Sequence, residues 1–253
     1  MANLINIIEF LEDLLDHKSF NDVSLNGLQI EGKDSVNKIA VSVDAALETA
    51  QIAASLNTDL LISHHGLFWG KPLAVSGAHK ECLSTFLNNN LSLFTSHLPL
   101  DAHMTHGNNI LLANLIGLSN AESAFPYDGQ DVGCLADNSS GKSLSEIIEP
   151  LKTLDGASNE IHHLAFGPDK PSKVGICSGS AADLLYRCEV DGFDTFITGE
   201  SKQFAYHFAK EHKLNVIFAG HYATETLGVK SLAAEIEKKF GTPWEFINCP
   251  TGI

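Results

Sequence analysis

Three short segments place imidazole, or imidazole and carboxylate, directly after an apolar run: ISHHG (62–66), SHLPLD (96–101) and AGHYATE (219–225). Nitrogen and oxygen donors of this kind suit Zn, Fe, Mn, Co or Ni. His64 and His65 end the run DLLI. Neighbouring side chains on a strand point to opposite faces, so both histidines reach one site only where the chain turns, and Gly66 is expected to permit that turn. His97 and Asp101 follow a second apolar run, and His221 and Glu225 a third. The last pair opens a helical stretch, where residues four apart share a face and can bind one ion together.

Each segment alone has an ordinary reading. A histidine pair can be solvated, and a carboxylate in the first turn of a helix is favoured by the dipole. Three such ends in one chain point instead to a common site. The set exceeds what one tetrahedral ion needs, whereas two ions about 3.5–4 Å apart with a bridging carboxylate would use it fully. Such a pair lowers the pKa of a water and polarises the bond it attacks, and His97 is the expected catalytic group, moving protons as an imidazole. The remaining histidines are read as bystanders. His162-His163 starts a run rather than ending one, His103 and His106 belong to a helix entry, and His17, His79, His207 and His212 sit among helical charges as solvated groups.

The elements that must position these residues alternate. Strand-like runs at 38–44, 59–65, 91–97, 131–137, 162–167, 173–179, 194–200 and 215–221 are separated by helical patterns, among them 45–57, 78–90, 107–118, 181–192, 202–212 and 227–240. Alternation of this kind predicts an α/β fold with helices packed on mostly parallel strands. Gly, Asn and Ser in SNAESAFPYDGQDVG (119–133) mark a boundary, giving lobes over 1–123 and 124–253, with room for C-terminal elements to pack on the first.

The chain also resembles itself. A shift of 135 positions lays 38–65 on 173–200 without a gap, and a shift of 124 lays LSLFTSHLPLD (91–101) on NVIFAGHYATE (215–225). A duplication predicts two similar α/β lobes about a pseudo-twofold axis. His65 then falls on Glu200 and His64 on Gly199, so Glu200 is expected to orient a ligand histidine from behind or to bind substrate.

Composition narrows the function. A net charge of −15 with only 16 Lys and Arg argues against direct nucleic-acid binding. The N-terminal stretch carries Glu9, Glu12 and Asp13 within its apolar pattern and reads as an amphipathic helix rather than a secretory signal. No window approaches the roughly 20 apolar residues of a membrane span. Five widely spaced cysteines with no C-x-x-C pair fit small buried groups in a reducing compartment, so a soluble, cytoplasmic protein is expected. No Walker loop, G-x-S-x-G elbow or strand-linked G-x-G-x-x-G occurs.

At NDVSLNGLQIEG (21–32), SVDAA (42–46), ISHHGLFW (62–69), SHLPLDAHMTHGNN (96–109), IGL (116–118), FITGE (196–200) and AGHYATE (219–225) the chain resembles the YbgI-like dinuclear-metal family. That family is also called NGG-interacting-factor-three-like, and its members often carry a GTP cyclohydrolase type 2 label. The resemblance implies that His64, His65, Asp101, His221 and Glu225 are metal ligands, with His97 beside the metals. It further implies metals in the cleft between two similar lobes and a ring-shaped homohexamer. Two functions follow as expectations. One is a hydrolase with two divalent ions per chain, acting through activated water on a small nucleotide-like or heterocyclic substrate, as in cyclohydrolase-type ring opening. The other is a metal-bearing interaction or regulatory protein whose partners dock on the ring. For the second, GLFWGKPLAV (66–75) offers an apolar surface, although core packing is the ordinary expectation for Phe68 and Trp69.

Overall fold

A computed structural model describes residues 2–253 as two compact units. Unit 1 runs to Leu100 and takes in Gly228–Cys249, and unit 2 comprises Asp101–Leu227 with Pro250–Ile253. Each is an α/β layer structure, as the alternation of patterns requires.

Unit 1 holds a five-stranded sheet in the order Trp244–Phe246, Ile39–Asp44, Leu60–His65, Ser92–Thr95, Gly27–Ile30. The first four strands are parallel and the last is antiparallel. Parallel strands covered on both faces read as continuous apolar runs, because every side chain finds a core. Accordingly Ile39, Val41, Leu60, Ile62 and Phe94 pack with Ile7, Leu11, Leu232 and Ile236 from helices Leu4–Leu15 and Thr226–Phe240. The alternate residues Ala40, Leu61 and Leu93 pack with Ala50, Ala53, Cys82 and Phe86 from helices Leu47–Ser55 and Gly77–Asn88.

Unit 2 holds a six-stranded sheet in the order Ser119–Tyr127, Gln130–Asp137, Lys173–Ile176, Thr195–Thr198, Asn215–Phe218, His162–Ala165. Its three middle strands from Lys173 to Phe218 are parallel, and the flanking strands are antiparallel to them. Ile176, Ile197 and Ile217 pack with Leu112, Ile116 and Ile147 of helices Asn108–Ile116 and Leu144–Leu151. Elsewhere in the unit Phe125, Phe193 and Phe196 meet edge to face or tilted, with centroids 5.5–5.8 Å apart. Gly133 and Gly175 make room for Phe125, since a Cβ on either would lie 2.7 or 2.8 Å from its ring.

All eight expected strands form. The boundary at 123/124 is corrected. Residues 119–133 are the near end of a hairpin, Ser119–Tyr127 with Gln130–Asp137, turned at Asp128 (φ 48°) and Gly129 (φ 90°). An Asp-Gly pair with both residues at positive φ makes a two-residue hairpin turn rather than a linker. The chain leaves unit 1 at Leu100. The helical pattern over 181–192 resolves into a 3₁₀ run, Ala182–Arg187, followed by the short helix Cys188–Asp191.

Topology supports the internal repeat. Ile39 pairs with Leu60 as Val174 pairs with Thr195, so both strands keep the 135 shift. The second shift is corrected by one. Leu60 faces Ser92 and Thr195 faces Asn215, so the third strands correspond at 123 positions, not 124. The extra residue of unit 2 is Gly220, at φ 94°, between the strand and His221. In each unit a strand from earlier in the chain, Gly27–Ile30 or His162–Ala165, runs antiparallel at the same edge of the trio.

Candidate metal centre

The carboxyl ends of the parallel strands carry the chemistry in both units, the usual place for ligands in α/β sheets. In unit 1, His64 is fully buried at the end of Leu60–His65, and His65 follows it half-buried. Their ring centroids are 4.7 Å apart, and His97 lies 5.2 Å from His64 and 5.7 Å from His65. One donor atom of each lies within 4.8 Å of the others. The two histidines converge without the backbone freedom of glycine: Gly66 is not at positive φ. It is small for a different reason. A Cβ there would sit 2.3 Å from the Gln29 amide, whose oxygen accepts from Leu67 N at 2.8 Å.

Each imidazole is held from behind. His64 Nδ1 bonds to the Ser96 carbonyl at 2.9 Å and His65 Nδ1 to the Asp44 carboxylate at 2.8 Å. His97 Nδ1 faces both oxygens of Asp22, at 3.0 and 3.1 Å. These oxygens only accept, so the proton resides on Nδ1 and the lone pair on Nε2, the atom that binds metals in this arrangement. The Asp22 side chain is 2% exposed and also accepts from Ser24 N and Leu98 N at 3.0 Å. Asn26 ties the turn by donating to Asp22 and accepting from His97 N at 2.8 Å. Burial would raise the Asp22 pKa, but the His97 hydrogen bond and charge, with Ser24 and Asn26, hold it below the usual carboxylate range.

Unit 2 gathers the acidic donors. His221 and Glu225 flank the single turn His221–Thr224, with Nε2 and Oε2 3.2 Å apart. The carboxylates of Asp101 and Glu225 approach within 4.8 Å. Asp101 accepts from Asn108 and Ser178, each at 2.9 Å. His221 Nδ1 makes a short hydrogen bond to Glu200. Burial works against charge on His221, but Glu225 and then Glu200 outweigh it and raise its pKa to about 9. Gly179, beside Ser178, sits at φ 63° where a Cβ would lie 2.4 Å from Glu225 Oε1 and 3.2 Å from His221 Nε2. The space a side chain would fill is left to the donor atoms.

These donors fit divalent metals. They are imidazole and carboxylate, pre-oriented by hydrogen bonds, with the neighbouring thiols withdrawn from use: burial pushes Cys134 up to about 12 and Cys177 well above the ordinary thiol range. The other histidines divide. His103 Nδ1 accepts from Thr105 N and His106 N, the helix-entry turn read from sequence. His162 is exposed and stacks on Phe218. His17 is not solvated: it stacks on Phe94 and bonds Ser96 Oγ at 3.0 Å, and burial lowers its pKa to about 4 despite Asp22 and Asp16. Trp69 is not in the core either. It is 39% exposed and packs edge-on against His97 at 5.2 Å. Sequence reasoning missed Asp22, Asn26, Asp44, Ser178 and Gly179. Asp44 ends the strand-like run 38–44, Ser178 and Gly179 end the run 173–179, and Asp22 and Asn26 lie in NDVSLNGLQIEG, but nothing local gave any of them a role.

Two α/β units, each with imidazole or carboxylate groups that could hold a metal ion beyond the ends of a parallel strand trio, define the class of fold and candidate site. The family model DUF34/NIF3 (NGG1p interacting factor 3) matches residues 2–251, and the chain belongs to that family. It is 40% identical over 247 residues to a protein of Deinococcus radiodurans, covering 98% of this chain and 93% of the relative. It is 39% identical to one of Archaeoglobus fulgidus, covering 99% and 100%. Both are called GTP cyclohydrolase 1 type 2 homolog. Among solved structures, a Thermus thermophilus protein has a TM-score of 0.91 at 40% identity, with both chains fully covered. The protein ybgI has a TM-score of 0.91 at 29% identity, again over the whole of both chains. No helix among the described residues is long and apolar enough to cross a membrane.

Proposed function

We propose that the protein is a dinuclear metal-dependent hydrolase of small nucleotide-like or heterocyclic substrates. His64, His65, Asp101, His221 and Glu225 hold two divalent ions (Zn, Fe, Mn, Co or Ni). One observation carries this reading: every imidazole of the set is pinned through Nδ1 to an oxygen acceptor, which fixes Nε2 as donor atom. When bound, such a pair supplies a polarised substrate bond and a water whose pKa falls towards about 7.

The chain's own residues do the rest. Asp22 keeps the His97 proton on Nδ1 and stabilises the charged ring, so His97 takes and returns protons at Nε2. Asp44 and Glu200 orient His65 and His221 in the same manner. The shared name of the relatives supports a cyclohydrolase-type ring opening as the reaction. We place the protein in the cytoplasm as a ring-shaped homohexamer, a state that sedimentation measures directly.

The test is elemental analysis of protein purified without a tag, followed by a nucleotide panel assayed for ring opening and phosphate release. Two metals per chain with turnover is the expected result. Full occupancy with complete inertness would remove the enzyme. It would favour the second reading, a metal-bearing interaction protein, for which the exposed Leu73 (53%) and Val75 (63%) offer a docking surface. His97→Gln should lose turnover and keep its metal; loss of metal would make His97 a ligand.

A further inference from the structure

Unit 2 contains a cavity of about 610 Å3 that includes Glu200 but otherwise lies outside the donor set. Its size falls within the roughly 300–1,000 Å3 typical of small-molecule sites. It opens at the carboxyl ends of Thr195–Thr198 and Asn215–Phe218, where Gly199-Glu200 and Ala219-Gly220 line it. Three features of its wall restrict the occupant.

The first is charge. Glu160 and Glu200 line the cavity, and no Lys or Arg does. An anionic group is therefore disfavoured here, and a cation or a donor of N–H bonds is favoured. The second is shape. His162 pairs directly with Phe218 across the antiparallel strands and lies nearly parallel to it, 14° between planes with centroids 5.3 Å apart. Phe218 is 7% exposed and His162 is open to solvent, so the phenyl holds the imidazole as a flat platform at the cavity wall. Gly220 adds no side chain to the lining, which lets a flat molecule approach the backbone there. The third is connection. Glu200 uses Oε1 on His221 Nδ1, so its other oxygen is the one that can serve an occupant, next to a proposed metal ligand.

We infer that this cavity is a recognition pocket for a planar nitrogen heterocycle presenting an amidine-type edge, an amino group beside a ring N–H. The edge donates to Glu160 and Glu200 while the ring stacks on His162. N–H bonds to these two carboxylates select this edge over a carbonyl edge, because an acceptor facing a carboxylate leaves both unsatisfied. The inference rests on the hydrolase reading only for the purpose of the pocket; the pocket's chemistry is independent of it. The heterocycle of a nucleotide-like substrate is held here, and any anionic part lies away from Glu160 and Glu200.

The probes are 2-aminobenzimidazole, benzimidazole and benzoate, titrated calorimetrically into the metal-containing protein. We expect 2-aminobenzimidazole to bind saturably and at least tenfold tighter than benzimidazole, and benzoate not to bind. Glu160→Gln changes an exposed side chain outside the donor set, and should weaken 2-aminobenzimidazole at least fivefold with metal content unchanged. His162→Ala should weaken both heterocycles. Equal binding of benzoate, no saturable binding of 2-aminobenzimidazole, or affinity unchanged in both variants would overturn the pocket. Binding that follows this pattern in a protein shown to hold no metal would sustain the pocket while removing the hydrolase reading.

Discussion

Gly179→Ala tests the site at its tightest point. The added methyl would lie 2.4 Å from Glu225 Oε1 and 3.2 Å from His221 Nε2, about 1 Å inside ordinary contact with the carboxylate. Glu225 is 3% exposed, so its carboxylate has little room to retreat and must swing off its present line to His221. The backbone adds a separate cost, because φ at Gly179 is 63° and an L-residue there loses about 1–2 kcal/mol. Gly192 separates the two effects: it has φ 72° and nothing within 4 Å of a built Cβ. Gly192→Ala should therefore lose the same 1–2 kcal/mol in urea unfolding and keep full metal content. Gly179→Ala should lose at least that much stability, and its metal affinity should fall about 10–100-fold, the usual range for disturbing the groups that orient ligands. Calorimetric titration of the chelator-stripped proteins with zinc measures this. Wild-type affinity in Gly179→Ala would refute the assignment of Glu225 and His221 as donors.

Asp22→Asn should leave metal content intact while lowering kcat about 10–100-fold, since the neutral amide no longer fixes the His97 tautomer; an unchanged kcat would remove His97 from proton transfer. Glu225→Gln should cost more metal affinity than Glu200→Gln, because the latter acts only through His221 Nδ1; the reverse order in zinc titrations would exchange their roles. His17 gives a pH signature. Its folded pKa of about 4 lies below the ordinary 6.5, so the unfolded chain binds the extra proton between these values. Its contribution is present above pH 6.5 and is lost as pH falls through 4, and urea midpoints should drop less steeply over this window in His17→Gln than in wild type.

The candidate ligand residues were legible because strand ends and side-chain types are local properties. Apolar runs over 59–65 and 215–221 set where the chain emerges from a two-sided core, and whatever follows such a run stands at the sheet's carboxyl edge. The 135-position repeat was legible for the same reason, and the strand pairing of Ile39 with Leu60 and Val174 with Thr195 repeats it residue for residue. Tertiary structure alone decided what holds those ligands in place. Asp22 meets His97 across 75 positions, and Ser178 meets Asp101 across 77, distances over which no periodicity operates. It also decided the punctuation. Asp128-Gly129 reads equally as linker or hairpin until the two flanking strands are seen to pair, and Gly220 reads as one more residue of a strand end until pairing shows it to be an insertion. His17 carries the same lesson in reverse: its neighbours in sequence are charged, but its neighbours in space are Phe94 and Ser96, and burial is a property of space.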